Sequence, residues 1–399
     1  MINKKKNTTN INFIKKTTKN YMDVNSNISG NLSSHSNQKM NYNINQINNS
    51  SFKPINIKLL NLGDTSYLNS VLYLLGNIKY FIDYCLKKSN VQNITSNIKN
   101  LPLCFIMHRL FMHFYNNHRE KEYKPDSLKE FLGALNPDYE TNDRKNPNEL
   151  LNFILELLHS ELNKKAGGNT LNNDNNFDDK SFAIKFGINN YNSSNDSLIS
   201  TLFNWFEIKE LQCRQCKRKI LYNFYSFNTF ELDILSTYKY KINFTDDQNA
   251  VTLNECINFQ QSNQNTKKIY CNICKQNTSF QSHSKIYSPN MFIFLINRGN
   301  ADKNLLNIPF IIEEKINLTF CIENMESTKN YELTGIVSIN AQNSQYTSFC
   351  KSPIDNKWYF YKEEKNGQVE LNQLLAVHNK NINFIPFILL YNSIQNRQN

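Results

Sequence analysis

The sequence predicts an α+β domain, because apolar residues keep helical spacing over its first part and strand-like runs rich in aromatic and β-branched residues fill its second. Helices that come first and strands that follow do not suit alternating βαβ units. With 399 residues, 40% of them hydrophobic, the chain is long enough to bury a large core.

The first element is a leader. Residues 1 to 55 hold eight lysines and one aspartate, +7 of the formal +11, so only +4 is left for everything after them. Residues 1–52 read as a disordered Asn/Lys-rich tail, with too little apolar surface to fold alone. Because the excess charge sits in that solvated tail, direct contact with nucleic acid is disfavoured. No run of about 18 apolar residues occurs, and the opening MINKKKNTTNINF lacks the apolar core of a secretory signal. These points lead us to expect an intracellular protein of cytoplasm or nucleus, without membrane contact.

Structure is expected from about Phe52 onward. Leu68, Val71, Leu72 and Leu75 recur at helical spacing, and Thr65 or Ser66 would cap that helix. A second helix is announced by Asn146 as cap, Pro147 in the first helical position and Glu149 three residues after the cap. Its apolar stripe is Leu151, Ile154, Leu155, Leu158 and Leu162. Between about 164 and 197 an Asn- and Ser-rich, low-complexity insert reads as a mostly mobile surface excursion. Strand-like runs follow: LYNFYSFNTFELDI, MFIFLINRG, YELTGIVSIN, KWYFY and FIPFILLYN.

Two C-x-x-C pairs carry a metal expectation. Cys213 with Cys216 and Cys271 with Cys274 would place four soft ligands on two knuckles, at the meeting tips of two β-hairpins. All four positions are filled, so the zinc would be structural, with no open site for a catalytic water. Arg214, Lys217, Arg218, Lys219 and Lys275 would offset the −2 charge of a zinc ion held by four thiolates. Cys85, Cys104, Cys256, Cys321 and Cys350 sit among apolar neighbours and are expected to be small core residues.

The order of motifs resembles a ubiquitin-specific protease (USP) domain. Leu60 to Leu72, LNLGDTSYLNSVL, is similar to the cysteine box of that family, and Arg144 to Leu151 stands where its QQDAxEFL box lies. The two knuckles fall in the fingers, Asn297-Arg298 in the place of KRF, and YELTGIV on YxLxGVV. Gln345-Tyr346-Thr347 falls on the histidine box, Lys357-Trp358-Tyr359 on KWY, and PFILLY on the closing strand. The resemblance covers residues 56–392 and implies a papain-like cysteine-peptidase fold of USP type: thumb helices over about 56–163, the insert, then palm and zinc-tipped fingers over about 198–392.

It also implies site positions. The nucleophile position is Ser66, the base position Gln345 and the orienting position Lys362; all three depart from the Cys, His and Asp/Asn of the family. Asn61, at the oxyanion position, is retained. A serine hydroxyl without an adjacent base stays protonated, a glutamine amide takes no proton near neutral pH, and a lysine ammonium cannot orient an imidazolium. None of His108, His113, His118 and His159, expected on helices, or His378, expected on a late loop, is expected to substitute as base. The resemblance thus implies a pseudo-deubiquitinase that binds ubiquitin, a ubiquitin-like protein, a ubiquitinated protein or a protein assembly. An active ubiquitin carboxyl-terminal hydrolase with a non-standard site and a scaffold in an RNA-processing complex are the alternatives.

Overall fold

The computed structural model of the chain describes residues 52–115, 120–165, 176–244, 250–262, 268–298, 307–322, 330–380 and 384–394. Except for Phe52, the expected leader lies outside the described residues, as does His118.

Helices dominate the first half. They are α1 (Ser66–Gly76), α2 (Lys79–Leu86), α3 (Lys88–Ser96), α4 (Pro102–Tyr115), α5 (Asp126–Leu135) and α6 (Pro147–Leu162), with a small parallel pair, β1 (Lys58–Leu59) and β2 (Glu122–Tyr123), beside them. Helix α6 begins as its sequence requires: the Asn146 side chain accepts the backbone N–H of Asn148 at 3.0 Å, and Pro147 lacks only a donor that a first turn does not use. Thr65 departs from expectation. Its hydroxyl accepts the N–H of Leu62 at 2.8 Å, so it ties the preceding loop and gives α1 no side-chain cap.

The insert holds more order than its composition suggests. Residues 166–175 lie outside the described residues, but α7 (Lys180–Ser194) is a full helix, capped by Asp179, whose carboxylate accepts the Phe182 N–H at 2.6 Å. Ala183 and Gly187 let it lie directly on Phe224; a Cβ at Gly187 would stand 2.1 Å from that ring. The segment read as a mobile excursion is therefore, over this part, a packed helix. A short helix, α8 (Leu198–Phe203), leads into the strands.

The second half carries two main sheets. A four-stranded sheet runs β4 (Ile220–Phe227), β3 (Trp205–Cys213), β8 (Gln276–Tyr287), β7 (Lys268–Cys271). An eight-stranded sheet includes β15 (Asn366–Val369), β14 (Trp358–Tyr361), β13 (Tyr346–Lys351), β12 (Asn330–Asn340), β16 (Phe384–Ser393), β9 (Met291–Ile296) and β5 (Phe230–Leu232) in that order, with β11 (Lys315–Asn317) on β12. A parallel pair, β6 (Val251–Thr252) and β10 (Phe310–Ile311), helices α9 (Ile234–Phe244), α10 (Leu253–Ser262) and α11 (Leu371–Asn379), and one 3-10 turn at Pro137–Tyr139 complete the described elements.

Strand alternation sends the two faces of the large sheet into two cores. Ile293, Val337 and Leu390 join α1, α4 and α6 on one side, while Phe294, Ile336 and Leu389 pack with Leu253 and Leu374 on the other. Gly335 permits the first contact, since a Cβ there would meet Leu74 of α1 at 2.4 Å. The five lone cysteines are all buried, and burial pushes the thiols of Cys85, Cys256 and Cys321 up to about 12.

His378, expected on a loop, lies on α11 and is fully buried. Its Nε2 meets the Ser338 hydroxyl at 2.8 Å and its Nδ1 the Leu374 carbonyl at 2.8 Å. Burial lowers its pKa from 6.5 to about 4, against a weaker upward pull from the Leu374 hydrogen bond. A depressed histidine pKa means that the unfolded chain takes the proton first. Its contribution is therefore whole above pH 6.5 and is lost as the pH falls toward 4, by about 3 kcal/mol. Denaturant titrations at several pH values are expected to show a steeper acid loss for the wild type than for His378→Gln. Equal slopes would remove this histidine from the balance.

Candidate active site and candidate metal centre

The cleft is built on the N-terminus of α1 and the start of β13. Just before α1, Gly63 turns with φ +100°, a conformation that favours glycine, and a Cβ there would also stand 2.7 Å from Asn142. The Asp64 N–H bonds the Asn142 carbonyl at 2.9 Å and the Asp64 carboxylate accepts from Arg144 at 2.8 Å, so the loop before α6 holds the loop before α1. Behind it, the buried Lys129 ammonium donates to the carbonyls of Tyr139, Glu140 and Thr141.

Ser66 is the first residue of α1 and only 4% exposed. Its hydroxyl oxygen accepts the backbone N–H of Tyr346 at 3.0 Å. The neighbouring residue, Gln345, turns its side chain elsewhere and donates from Nε2 to a Glu363 carboxylate oxygen at 2.6 Å. The structure thus brings the helix of Ser66 against the strand that follows Gln345, but the hydrogen bond across the cleft runs to backbone.

Lys362 lines the cleft and forms an ion pair with Glu364 at 3.0 Å. The carboxylate that reaches residue 345 belongs to Glu363, one residue beyond the position assigned from sequence. The chain leaves β14 at Tyr361, which stacks on Tyr73 at 4.4 Å, and in the turn that follows, Lys362 and Glu363 both line the cleft while only Glu363 bonds Gln345. The EE pair after Lys362 was the available signal, but only the conformation of that turn says which member reaches residue 345. Asn61 also lines the cleft, and its Oδ1 accepts from Asn69 at 2.7 Å. That leaves its NH2 as the group that could meet a developing oxyanion.

Helix α1 and the residue after it stay bonded to β13 and β14 beyond Ser66. Ser348 donates its hydroxyl to the Ser70 carbonyl at 2.6 Å, and the Tyr361 hydroxyl reaches Asn77 Oδ1 at 3.4 Å.

No described histidine replaces the base. His108 bonds the Cys85 carbonyl at 2.7 Å, His113 pairs with Glu120 at 2.8 Å, and His159 meets Ser197 and Asn195 at 2.6 and 2.9 Å. Burial, the largest cause in each case, lowers all three pKa values.

At the far end of the four-stranded sheet the four knuckle thiols converge. Their sulfurs lie within 4.8 Å of one another, with Cys213 3.9 Å from Cys274 and Cys216 3.8 Å from Cys271. A tetrahedral ion with metal–sulfur bonds of about 2.3 Å has sulfur–sulfur edges of about 3.8 Å, whereas a disulfide requires about 2.05 Å. The donor set and its size therefore fit a four-thiolate metal centre. Its knuckles are alike: Lys217 and Lys275, each just after the second cysteine of its pair, are left-handed at φ 56° and 55°.

A family model described as "Ubiquitin carboxyl-terminal hydrolase" matches residues 57–391. The chain is 22% identical over 321 residues to ubiquitin carboxyl-terminal hydrolase 2 of Bos taurus, covering 79% of this chain and 52% of that protein. To ubiquitin carboxyl-terminal hydrolase 21 of Homo sapiens it is 21% identical over 350 residues, covering 80% and 60%. It thus spans little more than half the length of these relatives. A solved SAGA DUB module containing Ubp8, Sgf11, Sus1 and Sgf73, bound to monoubiquitin, shares its fold at a TM-score of 0.62 and 17% identity, over 85% of this chain and 69% of that one. The same module bound to ubiquitin aldehyde gives a TM-score of 0.62 and 16% identity, over 85% and 70%. Among the described residues no helix is long and apolar enough to cross a membrane.

Proposed function

The chain belongs to the ubiquitin carboxyl-terminal hydrolase family, and from that premise we propose that it is a pseudo-deubiquitinase, which holds ubiquitin or a ubiquitin-like protein, free or attached to a target, without cleaving it. One observation carries this reading: the Ser66 oxygen is engaged by the Tyr346 N–H, and the side chain at position 345 is an amide turned away to bond Glu363. Acyl transfer needs a nucleophile that can lose its proton and a neighbour that can take it. A serine hydroxyl with a glutamine at the base position has neither. Lys362, paired with Glu364, is a cation beside that cleft and offers no lone pair.

Zinc is the metal we assign to Cys213, Cys216, Cys271 and Cys274, since four thiolates at tetrahedral spacing suit it and leave no open position. Its role there is to join β3–β4 to β7–β8 at their tips.

Immobilised ubiquitin and ubiquitin-like modifiers are expected to retain the purified chain at tens of micromolar, while a fluorogenic ubiquitin C-terminal amide stays intact. No retention by any modifier would leave a scaffold role in a larger assembly. Turnover that disappears in Ser66→Ala would instead make the chain a working hydrolase.

A further inference from the structure

The tip of the four-stranded sheet carries more positive charge than a metal centre requires. Arg214, Lys217, Arg218, Lys268 and Lys275 are all exposed there, and neither segment 213–219 nor segment 268–277 contains a carboxylate. Lys219 is set apart from this group by its ion pair with Asp178. A divalent ion held by four thiolates brings −2. Five exposed cations against that leave a formal excess of about +3 at one end of the molecule. Four of them, Arg214, Lys217, Arg218 and Lys275, were expected with Lys219 to offset the metal, and a −2 charge does not use them all.

The same tip exposes an aromatic ring. Tyr270 on β7 is 59% exposed, two residues from Lys268 and one from the ligand Cys271. A Gln276–Gln215 hydrogen bond of 2.7 Å spans the two knuckles, so the cations of both are carried on one braced unit.

We propose that this tip is a binding site for single-stranded nucleic acid, whose phosphates meet the five cations while a base stacks on Tyr270. The composition separates this partner from an acidic protein. Three of the five cations are lysines, a residue depleted from protein–protein interfaces, whereas lysine and arginine at the same tip as an exposed ring are what a phosphate backbone and its unstacked bases require.

The test is fluorescence anisotropy of a fluorescein-labelled twelve-residue oligouridylate titrated with the full chain at several salt concentrations. The triple variant R214Q/R218Q/K275Q is expected to bind at least tenfold more weakly near 0.1 M salt, and its slope of log affinity against log salt to fall by about 2. Tyr270→Ala is expected to weaken binding about tenfold and Tyr270→Phe to restore it. Unchanged melting temperature and metal content in each variant show that the tip is still folded. Variants that bind as well as the wild type would move the contact to the lysine-rich leader and overturn the site. Displacement of the RNA by an equal length of polyglutamate would reassign it to acidic protein, and absence of binding near 0.1 M salt would remove it.

Discussion

Replacing Ser66 by cysteine and Gln345 by histidine in one chain, S66C/Q345H, is expected to release fluorophore from a ubiquitin C-terminal amide that the wild type leaves intact. The expectation comes from what the cleft already holds. Glu363 lies 2.6 Å from the side chain of residue 345, so an imidazole there would find a carboxylate ready to fix its tautomer and stabilise its charge. Residue 66 opens α1, and a helix N-terminus favours a thiolate. Asn61 supplies an amide donor. In that double variant, Glu363→Gln is expected to lower kcat by roughly 10²- to 10⁴-fold, as loss of an orienting acid does elsewhere. Lys362→Ala in the same background is expected to change it by less than about threefold, a surface-sized effect. The reverse ranking of those two variants would return the orienting role to position 362.

The second large effect is on stability. Cys271→Ser is expected to lower bound metal from one equivalent to less than half and to destabilise the four-stranded sheet by more than about 4 kcal/mol, because metal-binding energy is folding energy at such a site. The loss should be local. Hydrogen exchange is expected to accelerate in β7 and the adjoining end of β8, while α1 and α6, packed in a separate core, keep their protection. A full metal complement in the variant would show that the four sulfurs are not acting together.

Much of this architecture could be read in advance, where local chemistry dictates it. The Asn146-Pro147 helix start and the paired C-x-x-C knuckles need no knowledge of partners far along the chain. Other features depended on such knowledge. The stripe of α7, Ala183, Ile184, Gly187, Ile188 and Tyr191, has helical spacing, but the surrounding Asn and Ser residues concealed it, and its partner Phe224 lies many residues away. Glu363 was missed because it lies in the turn between β14 and β15, where side-chain directions follow the local bend of the chain and not a period that one sequence prints. The leader was given most of the charge, and correctly by count. Yet the cations of two knuckles, separated in sequence by the length of β4 to α10, become one patch only when the hairpins meet.

The bonds that join α1 and its end to β13 and β14 have a consequence for recognition. Ser66 to Tyr346, Ser70 to Ser348 and Asn77 to Tyr361 form a seam along which two halves of the molecule are already docked. A modifier held as proposed in the cleft beside that seam would meet a lock cut before the key, so little ordering entropy would be lost on contact. Its capture should follow simple bimolecular kinetics, linear in concentration and without a slow isomerisation step.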